Sequence, residues 1–263
     1  MIGFIGGGNM ADAIIKGLTI NSIKNIFVSE PLQDRREYLE NTYKIRTTAD
    51  NKTLALSSDI IIVAVKPQDM EKVLRELVEL NLSDKILISI AAGITLSYIS
   101  SIVKIRNIVR VMPNTPSLVL EGMSVICLSE GFDNELTTIE QIFSSIGKFI
   151  YLSEKYMDTV TAVSGSGPAF VALFIAAMIK SAEKLGLSNS IAKTLVYQTL
   201  SGTVKLIANT NIEPQELVKK VASPGGTTEA GIKVLNDNSF DSIIYETILR
   251  AKQRSKELGA QTK

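Results

Sequence analysis

The chain has 263 residues, 45% of them apolar, and its 28 basic and 27 acidic side chains leave a net charge of +1. That balance provides no field for nucleic acid or an anionic membrane surface, so neither is expected as a partner. Histidine is absent, which excludes a Ser-His-Asp triad, a Cys-His pair, a histidine-ligated metal and a histidine general acid. The lone Cys127 excludes an internal disulfide and a cysteine-ligated cluster, so no metal is expected.

The opening stretch MIGFIGGGNMADAIIKGL reads as a strand from Met1 to Ile5, a turn of three glycines and an amphipathic helix. No signal-peptide pattern precedes that strand, and a cytoplasmic location is expected. Gly6, Gly8 and Ala11 fit GxGxxA, which supplies a tight turn, a close backbone approach for a pyrophosphate and a small residue where helix meets strand. The new helix would point free N–H groups at the phosphates. Such turns also serve as plain tight connections. Here a second strand, NIFVSE, ends in Ser29 and Glu30 at about the spacing a dinucleotide site requires.

A polar helix, LQDRREYLENTY, follows, with Leu32, Arg36, Leu39 and Tyr43 spaced to lie against a sheet. A short strand is expected near Lys44 to Thr47, and a short helix from Asn51. Asp59 opens IIIVAV (60–65), which lacks polar alternation and therefore reads as a strand covered on both faces. It stops at Lys66 and Pro67, where the proline suits the first turn of DMEKVLRELVEL. KILISIA ends at Ala91, Ala92 and Gly93, and IVRVM ends at Pro113. The loop PNTPSLVLE leads to the strand GMSVICL, a helix from about Asn134 to Ile146, and a last strand, KFIYL, ending near Ser153. This alternation predicts an α/β fold, a Rossmann-like, doubly wound parallel sheet over residues 1–153. Ligands of such sheets sit beyond the strand ends, so Ser29, Ala64 to Pro67 and Ala91 to Gly93 should share a crevice with the glycine turn. Small residues at one strand end would equally suit a tight turn; three neighbouring ends favour the crevice.

From Glu154 the spacing is helical, which defines an all-helical domain over 154–263 broken by VSGSGPAF and ASPGGTTEAG. SGSGP at 164–168 reads either as a ligand turn or as a break between helices. The apolar run Pro168–Ile179 has 12 residues, short of the roughly 20 that a bilayer requires. A helix apolar all round must be enclosed by protein, so a homodimer with intertwined helices is expected; a helix wedged between two domains of one chain is the alternative. Ser223, Pro224, Gly225, Gly226, Thr227 and Thr228 precede a helix over Glu229–Leu235 and gather hydroxyls and amides fit for a carboxylate. The plainer reading makes Thr227 or Thr228 an ordinary N-cap.

Together GFIGGGNMA, AVKP at 64–67, SIAAG at 89–93, RVMPNTP at 110–116, SGSGPAF at 164–170 and ASPGGTTEAGIKVL at 222–235 resemble the Δ1-pyrroline-5-carboxylate reductases over essentially the whole chain. The resemblance implies reduction of a five-membered cyclic imine carboxylate to proline, with NADP(H) or NAD(H) as cofactor. It places Gly6, Gly8, Asn9, Met10, Ser29, Asn51, Ala64, Val65, Lys66, Pro67, Ala91 and Ala92 at the coenzyme. Ser223, Gly226, Thr227 and Thr228 would hold the substrate, with Glu154 near it and Thr228 on the ring nitrogen. Dimers that gather into larger rings are implied as well. Many members carry an arginine after the second strand; here Glu30 and Pro31 stand there, with Arg35 and Arg36 later. A carboxylate suits the free ribose hydroxyl of NADH, while Ser29 and the arginines suit a phosphate. A protonated imine accepts hydride readily, so orientation at about 3–3.5 Å is the main requirement, which a chain without histidine can meet. Rival readings are another imine reductase, a β-hydroxyacid reductase using Lys180, Lys184 or Lys193, or a non-catalytic dinucleotide sensor. SPGGTT sets this chain apart from them.

Overall fold

Most of the apolar runs become strands buried along their length, while the two edge strands of the sheet are partly exposed. β1 (Ile2–Ile5), β2 (Ile26–Ser29), β3 (Arg46–Thr48), β4 (Ile60–Val63), β5 (Ile86–Ser89), β6 (Asn107–Met112), β7 (Gly122–Leu128) and β8 (Gly147–Tyr151) form one sheet in the order β3-β2-β1-β4-β5-β6-β7-β8. This computed structural model describes residues 1–260. They cluster into two compact units, Met1–Pro168 with the chain from Leu249 onward, and Ala169–Ile248. The chain winds outward from β1 to β3 and then crosses to β4 on the other side of β1. That crossing makes the β1/β4 junction the switch point of the sheet, where Ile5 is paired with both Ser29 and Val63.

Successive residues of a strand point to opposite faces, and each face carries its own core. Phe4, Val28 and Ile62 meet α1 (Asn9–Ile20) and α2 (Gln33–Tyr43) through Ile14, Leu18 and Leu39. Ile5, Ile61 and Val63 meet α3 (Asn51–Ser57) and α4 (Met70–Leu77) through Leu54, Met70 and Leu74, and α5 (Leu96–Ile102) adds Ile99. Leu32 departs from the expected stripe: it precedes α2 and is 67% exposed.

The expected all-parallel sheet requires correction at one junction. β7 runs antiparallel to β6, with Val109 opposite Leu128 and Met112 opposite Val125. The connection between them holds a single 3₁₀ segment, Thr115–Val119, and Leu120 in the left-handed region. Parallel pairing needs a crossover of about a dozen residues or more, so this shorter link forces the reversal. α6 (Thr137–Ser144), shorter than the helix expected from Asn134, then returns the chain to β8, parallel to β7.

Beyond β8 the chain is helical: α7 (Met157–Val160), α8 (Gly167–Lys184), α9 (Asn189–Thr210), α10 (Pro214–Val221), α11 (Thr227–Asp237) and α12 (Phe240–Ala260). SGSGP does not break the run; a π turn, Thr161–Gly165, and a bend at Ser166 carry α7 into α8. Among the described residues Glu154–Lys184 is thus one helical stretch of 31 residues with a mean hydropathy of 1.9 in its most apolar window. By length and composition it could cross a bilayer, which the count of 12 contiguous apolar residues did not reveal. The core of the second unit is small: Ile179, Ala192 and Val196 are buried, while Leu173, Leu195, Val204 and Tyr245 are exposed in the single chain.

Gly147 has φ +141°, and a Cβ added there would stand 2.1 Å from the Gly122 carbonyl oxygen. Gly147→Ala is therefore expected to lower stability by about 2–4 kcal/mol, through backbone strain plus a clash that β7 cannot relieve. A urea titration with an unchanged midpoint would contradict this.

Candidate functional site

The glycine turn lies at the switch point, and each glycine does something different there. Gly6 has φ +96°, and an added Cβ would come 2.9 Å from the Ala64 carbonyl oxygen, so β1 leaves the sheet directly against the exit of β4. Gly7 donates its buried N–H to Glu30 Oε2 at 2.8 Å and accepts from Arg35 Nε through its carbonyl at 2.6 Å. Gly8 is the N-cap of α1 in extended conformation; no side chain caps the helix, and an added Cβ would meet nothing within 4 Å. The first amides of α1 are left for a ligand.

A cavity of about 590 Å³ opens at this turn. Of the residues expected at the coenzyme, Gly6, Gly8, Ser29, Asn51, Ala64, Val65 and Lys66 line it. Asn9, Met10, Pro67, Ala91 and Ala92 do not: Asn9 and Met10 continue into α1, Pro67 opens a 3₁₀ turn ahead of α4, and Ala91 is buried beyond β5 with half-buried Ala92 after it. The lining also includes Glu30, Leu32, Lys72 and Glu76. Ser29 Oγ donates to Asn51 Oδ1 at 2.7 Å, and Asn51 Nδ2 donates to Glu76 Oε2 at 2.7 Å, a polar chain from β2 through α3 to α4. Lys72 and Glu76 were missed in the sequence, although their spacing of four along one helix places them on the same face. The turn, the bare helix end and the polar strand ends fit a dinucleotide.

Several groups brace this cavity from behind. Asp12 accepts from Tyr43 and Tyr38 and pairs with Arg35 at 3.0 Å, which locks α2 to α1. Burial, then the Asp12 carboxylate, pushes the Tyr43 hydroxyl well above the usual tyrosine range. Arg36 donates to the carbonyls of Glu30 and Pro31 at 2.7 and 2.9 Å. Both arginines after β2 are thus already engaged.

Glu154 lies in the first unit, where its Oε1 accepts from Arg110 Nη1 at 3.0 Å and from the Leu96 N–H at 2.7 Å. The Arg110 side chain is 5% exposed, so the pair secures β6 and the start of α5 to the chain beyond β8. Nearby Cys127 has its thiol pushed up to about 11 by burial first and the Glu154 charge second, which keeps it protonated and inert. Asn114 of the MPNTP stretch donates to the Ser164 carbonyl and hydroxyl at 3.3 Å and accepts the Met123 N–H at 2.8 Å. It ties that stretch to SGSGP, a role that only the folded chain reveals.

In the second unit, SPGGTT forms a bend into α11. Gly225 has φ +71°, and the Gly226 N–H donates to the Ser223 carbonyl at 2.9 Å. The helix begins at Thr227, earlier than expected, and its N-cap is Gly226 rather than Thr227 or Thr228. A Cβ on Gly226 would stand 2.5 Å from Ser223 Oγ. Glu229 accepts the Gly225 N–H at 2.7 Å and steadies the bend. The Thr227 and Thr228 amides belong to the first turn and have no intrahelical acceptor. Hydroxyls and amides are therefore presented together without being spent on a cap.

Comparison with known proteins agrees with this geometry. Residues 154–258 match the family described as "Pyrroline-5-carboxylate reductase dimerisation", and residues 1–93 match "NADP oxidoreductase coenzyme F420-dependent". The pyrroline-5-carboxylate reductase of Synechocystis is 41% identical over 98% of both chains. The structure of the Coxiella burnetii pyrroline-5-carboxylate reductase is 35% identical with a TM-score of 0.89, covering 98% of this chain and 97% of that one. The Plasmodium falciparum pyrroline carboxylate reductase, solved with NADP bound, is 34% identical with a TM-score of 0.87 and the same coverage. The exposed apolar helices lie within the region that matches the dimerisation family, which supports association of copies of the chain.

Because a side chain at position 8 would enter open space, Gly8→Val should keep the fold, at a cost of about 1 kcal/mol or less for the poorer N-cap, and abolish dinucleotide binding, followed by the fluorescence of bound NADH or NADPH. Retained affinity would make the turn purely structural.

Proposed function

This chain belongs to the pyrroline-5-carboxylate reductase family and reduces 1-pyrroline-5-carboxylate to L-proline with hydride from NAD(P)H, the last step of proline biosynthesis; from that premise we propose how its residues share the work. The carrying observation is a whole-length likeness that includes both the glycine-turn cavity and the bare N-terminus of α11. Gly6, Gly8, Ser29, Asn51, Ala64, Val65 and Lys66 hold the coenzyme, which supplies the hydride from its nicotinamide ring when bound. Asn9, Met10, Pro67, Ala91 and Ala92 support the same site from α1 and the strand exits. By sequence the Rossmann-like domain is residues 1–153 and the substrate and dimerisation domain residues 154–263, although by packing Glu154–Pro168 and the chain from Leu249 cluster with the first unit.

Ser223, Gly226 and Thr227 bind the substrate carboxylate, using the hydroxyls and the first-turn amides of α11. Thr228 accepts the N–H of the protonated ring nitrogen through its hydroxyl oxygen and so holds the proton there, which keeps the imine carbon electrophilic. Glu154, paired with Arg110, positions the chain leading into the second domain. No strong acid is needed, because a protonated imine already accepts hydride; the protein contributes orientation and exclusion of wrong poses. The reaction belongs to the cytoplasm, and the dimers gather into larger rings.

Thr228→Ala is expected to lower kcat by about 10- to 100-fold while the affinity for NAD(P)H is kept, since the lost contact matters most in the transition state. The check is coenzyme oxidation with pyrroline-5-carboxylate, beside a binding titration. An unchanged kcat would remove Thr228 from the chemistry, and no oxidation by the unmodified protein with either coenzyme would overturn the assigned reaction.

A further inference from the structure

Glu30 stands directly after β2, is 8% exposed, and lines the cavity at the glycine turn. Its carboxylate is pinned from two directions: Oε2 accepts the Gly7 N–H at 2.8 Å and Oε1 accepts the Leu32 N–H at 3.1 Å. Its main chain is held as well, with its N–H donating to the Thr48 carbonyl at 2.9 Å and its carbonyl accepting from Arg36 at 2.7 Å. The group cannot swing aside without stranding two amides, one of them buried.

In a doubly wound sheet, the end of the second strand is where the adenosine ribose of a dinucleotide rests. Each Glu30 oxygen retains acceptor capacity beyond its amide bond, enough for a ribose hydroxyl. A 2′-phosphate would meet the same carboxylate as a like charge. The two arginines that follow β2 are committed elsewhere: Arg35 to the Gly7 carbonyl, Asp12 and the Tyr38 ring, and Arg36 to two carbonyls. Ser29 and Asn51 lead to Glu76, a second carboxylate at this cavity. Two lysines also line it. Lys66 follows β4, which lies across β1 from β2, and Lys72 shares its helix face with Glu76.

Resting on the assignment of this cavity to the coenzyme, we propose that Glu30 makes the chain selective for NADH, with the free ribose hydroxyls as its ligand and the 2′-phosphate of NADPH as the group it rejects. The test is equilibrium binding to the intact protein without substrate, read from the fluorescence of each reduced coenzyme. The unmodified chain should bind NADH about tenfold or more tightly than NADPH. Glu30→Gln keeps an acceptor and removes the charge, and should bring the two affinities together by tightening NADPH. Leu32→Arg, at an exposed position on the cavity rim, leaves every Glu30 bond in place and should tighten NADPH, shifting the affinity ratio about tenfold toward it. NADPH bound as tightly as NADH by the unmodified chain would overturn the proposal, as would a folded Glu30→Gln protein with an unchanged ratio. If that variant does not fold, unaltered NADPH affinity in Leu32→Arg overturns it instead. Preserved discrimination in a protein that reduces no pyrroline-5-carboxylate would support Glu30 and count against the assigned reaction alone.

Discussion

A strand paired on both edges and covered on both faces can offer polar chemistry only where it ends, and β1 imposes that condition on its neighbours. Ile2 to Ile5 have no exposed surface to give, and their backbone groups are taken by β2 and β4. What the sheet presents to a ligand is therefore concentrated in the residues just after Ile5, Ser29 and Val63. The positive φ of Gly6 lets the chain turn hard against Ala64, and the Gly7–Glu30 bond ties that turn to the exit of β2. Three strand exits become one cavity because the topology gives them no other outlet.

The second unit answers to a different constraint. Its helices carry more apolar surface than a core of Ile179, Ala192 and Val196 can absorb. A helix of this composition is suited in principle either to a bilayer or to another protein surface, and length and hydropathy alone do not separate the two. The dimerisation match over 154–258 supports the protein surface. Counting contiguous apolar residues stopped at Ile179, whereas the physical object is the helix, which extends from Glu154 to Lys184 with its few polar residues in place.

What was legible in the sequence followed from local patterning. β1, β4 and β5 announced themselves by unbroken apolar runs, and the glycine turn by its own composition and the strand that follows. What escaped depended on distant partners. The reversal of β7 is set by the length of its connection to β6 and the pairing available there, and a parallel reading of GMSVICL had no local signal against it. Glu30 was legible as a strand-end carboxylate suited to a ribose hydroxyl, but not as one pinned to Gly7, since that bond spans 23 positions. Glu154 was placed near the substrate by resemblance alone, and its bonds to Arg110 and Leu96 had no local signal because those partners lie far back in the chain. Thr227 and Thr228 suggested a cap by residue type, yet the folded bend gives that position to Gly226.

A chain without histidine, and with its single thiol held protonated, has few strong acids or bases to place beside a substrate, and its two candidate sites use backbone instead. α1 and α11 both begin at an extended glycine with no side-chain cap, whereas Asp50, Thr95 and Ser188 cap α3, α5 and α9. An uncapped end is not itself a site, as the bare start of α6 shows. The difference lies in what surrounds it. At α1 the glycine opens onto a cavity lined by neighbouring strand exits; at α11 a Pro-Gly-Gly bend sets two threonine hydroxyls beside free amides. Glycine at the N-cap stabilises a helix less than serine, asparagine or aspartate would. That loss is tolerable where a ligand supplies the missing acceptors, and anionic ligands are what a pyrophosphate and a ring carboxylate provide. Orientation by main-chain amides suits this reaction because the electrophile needs no further activation by the protein, only a fixed pose toward its hydride donor.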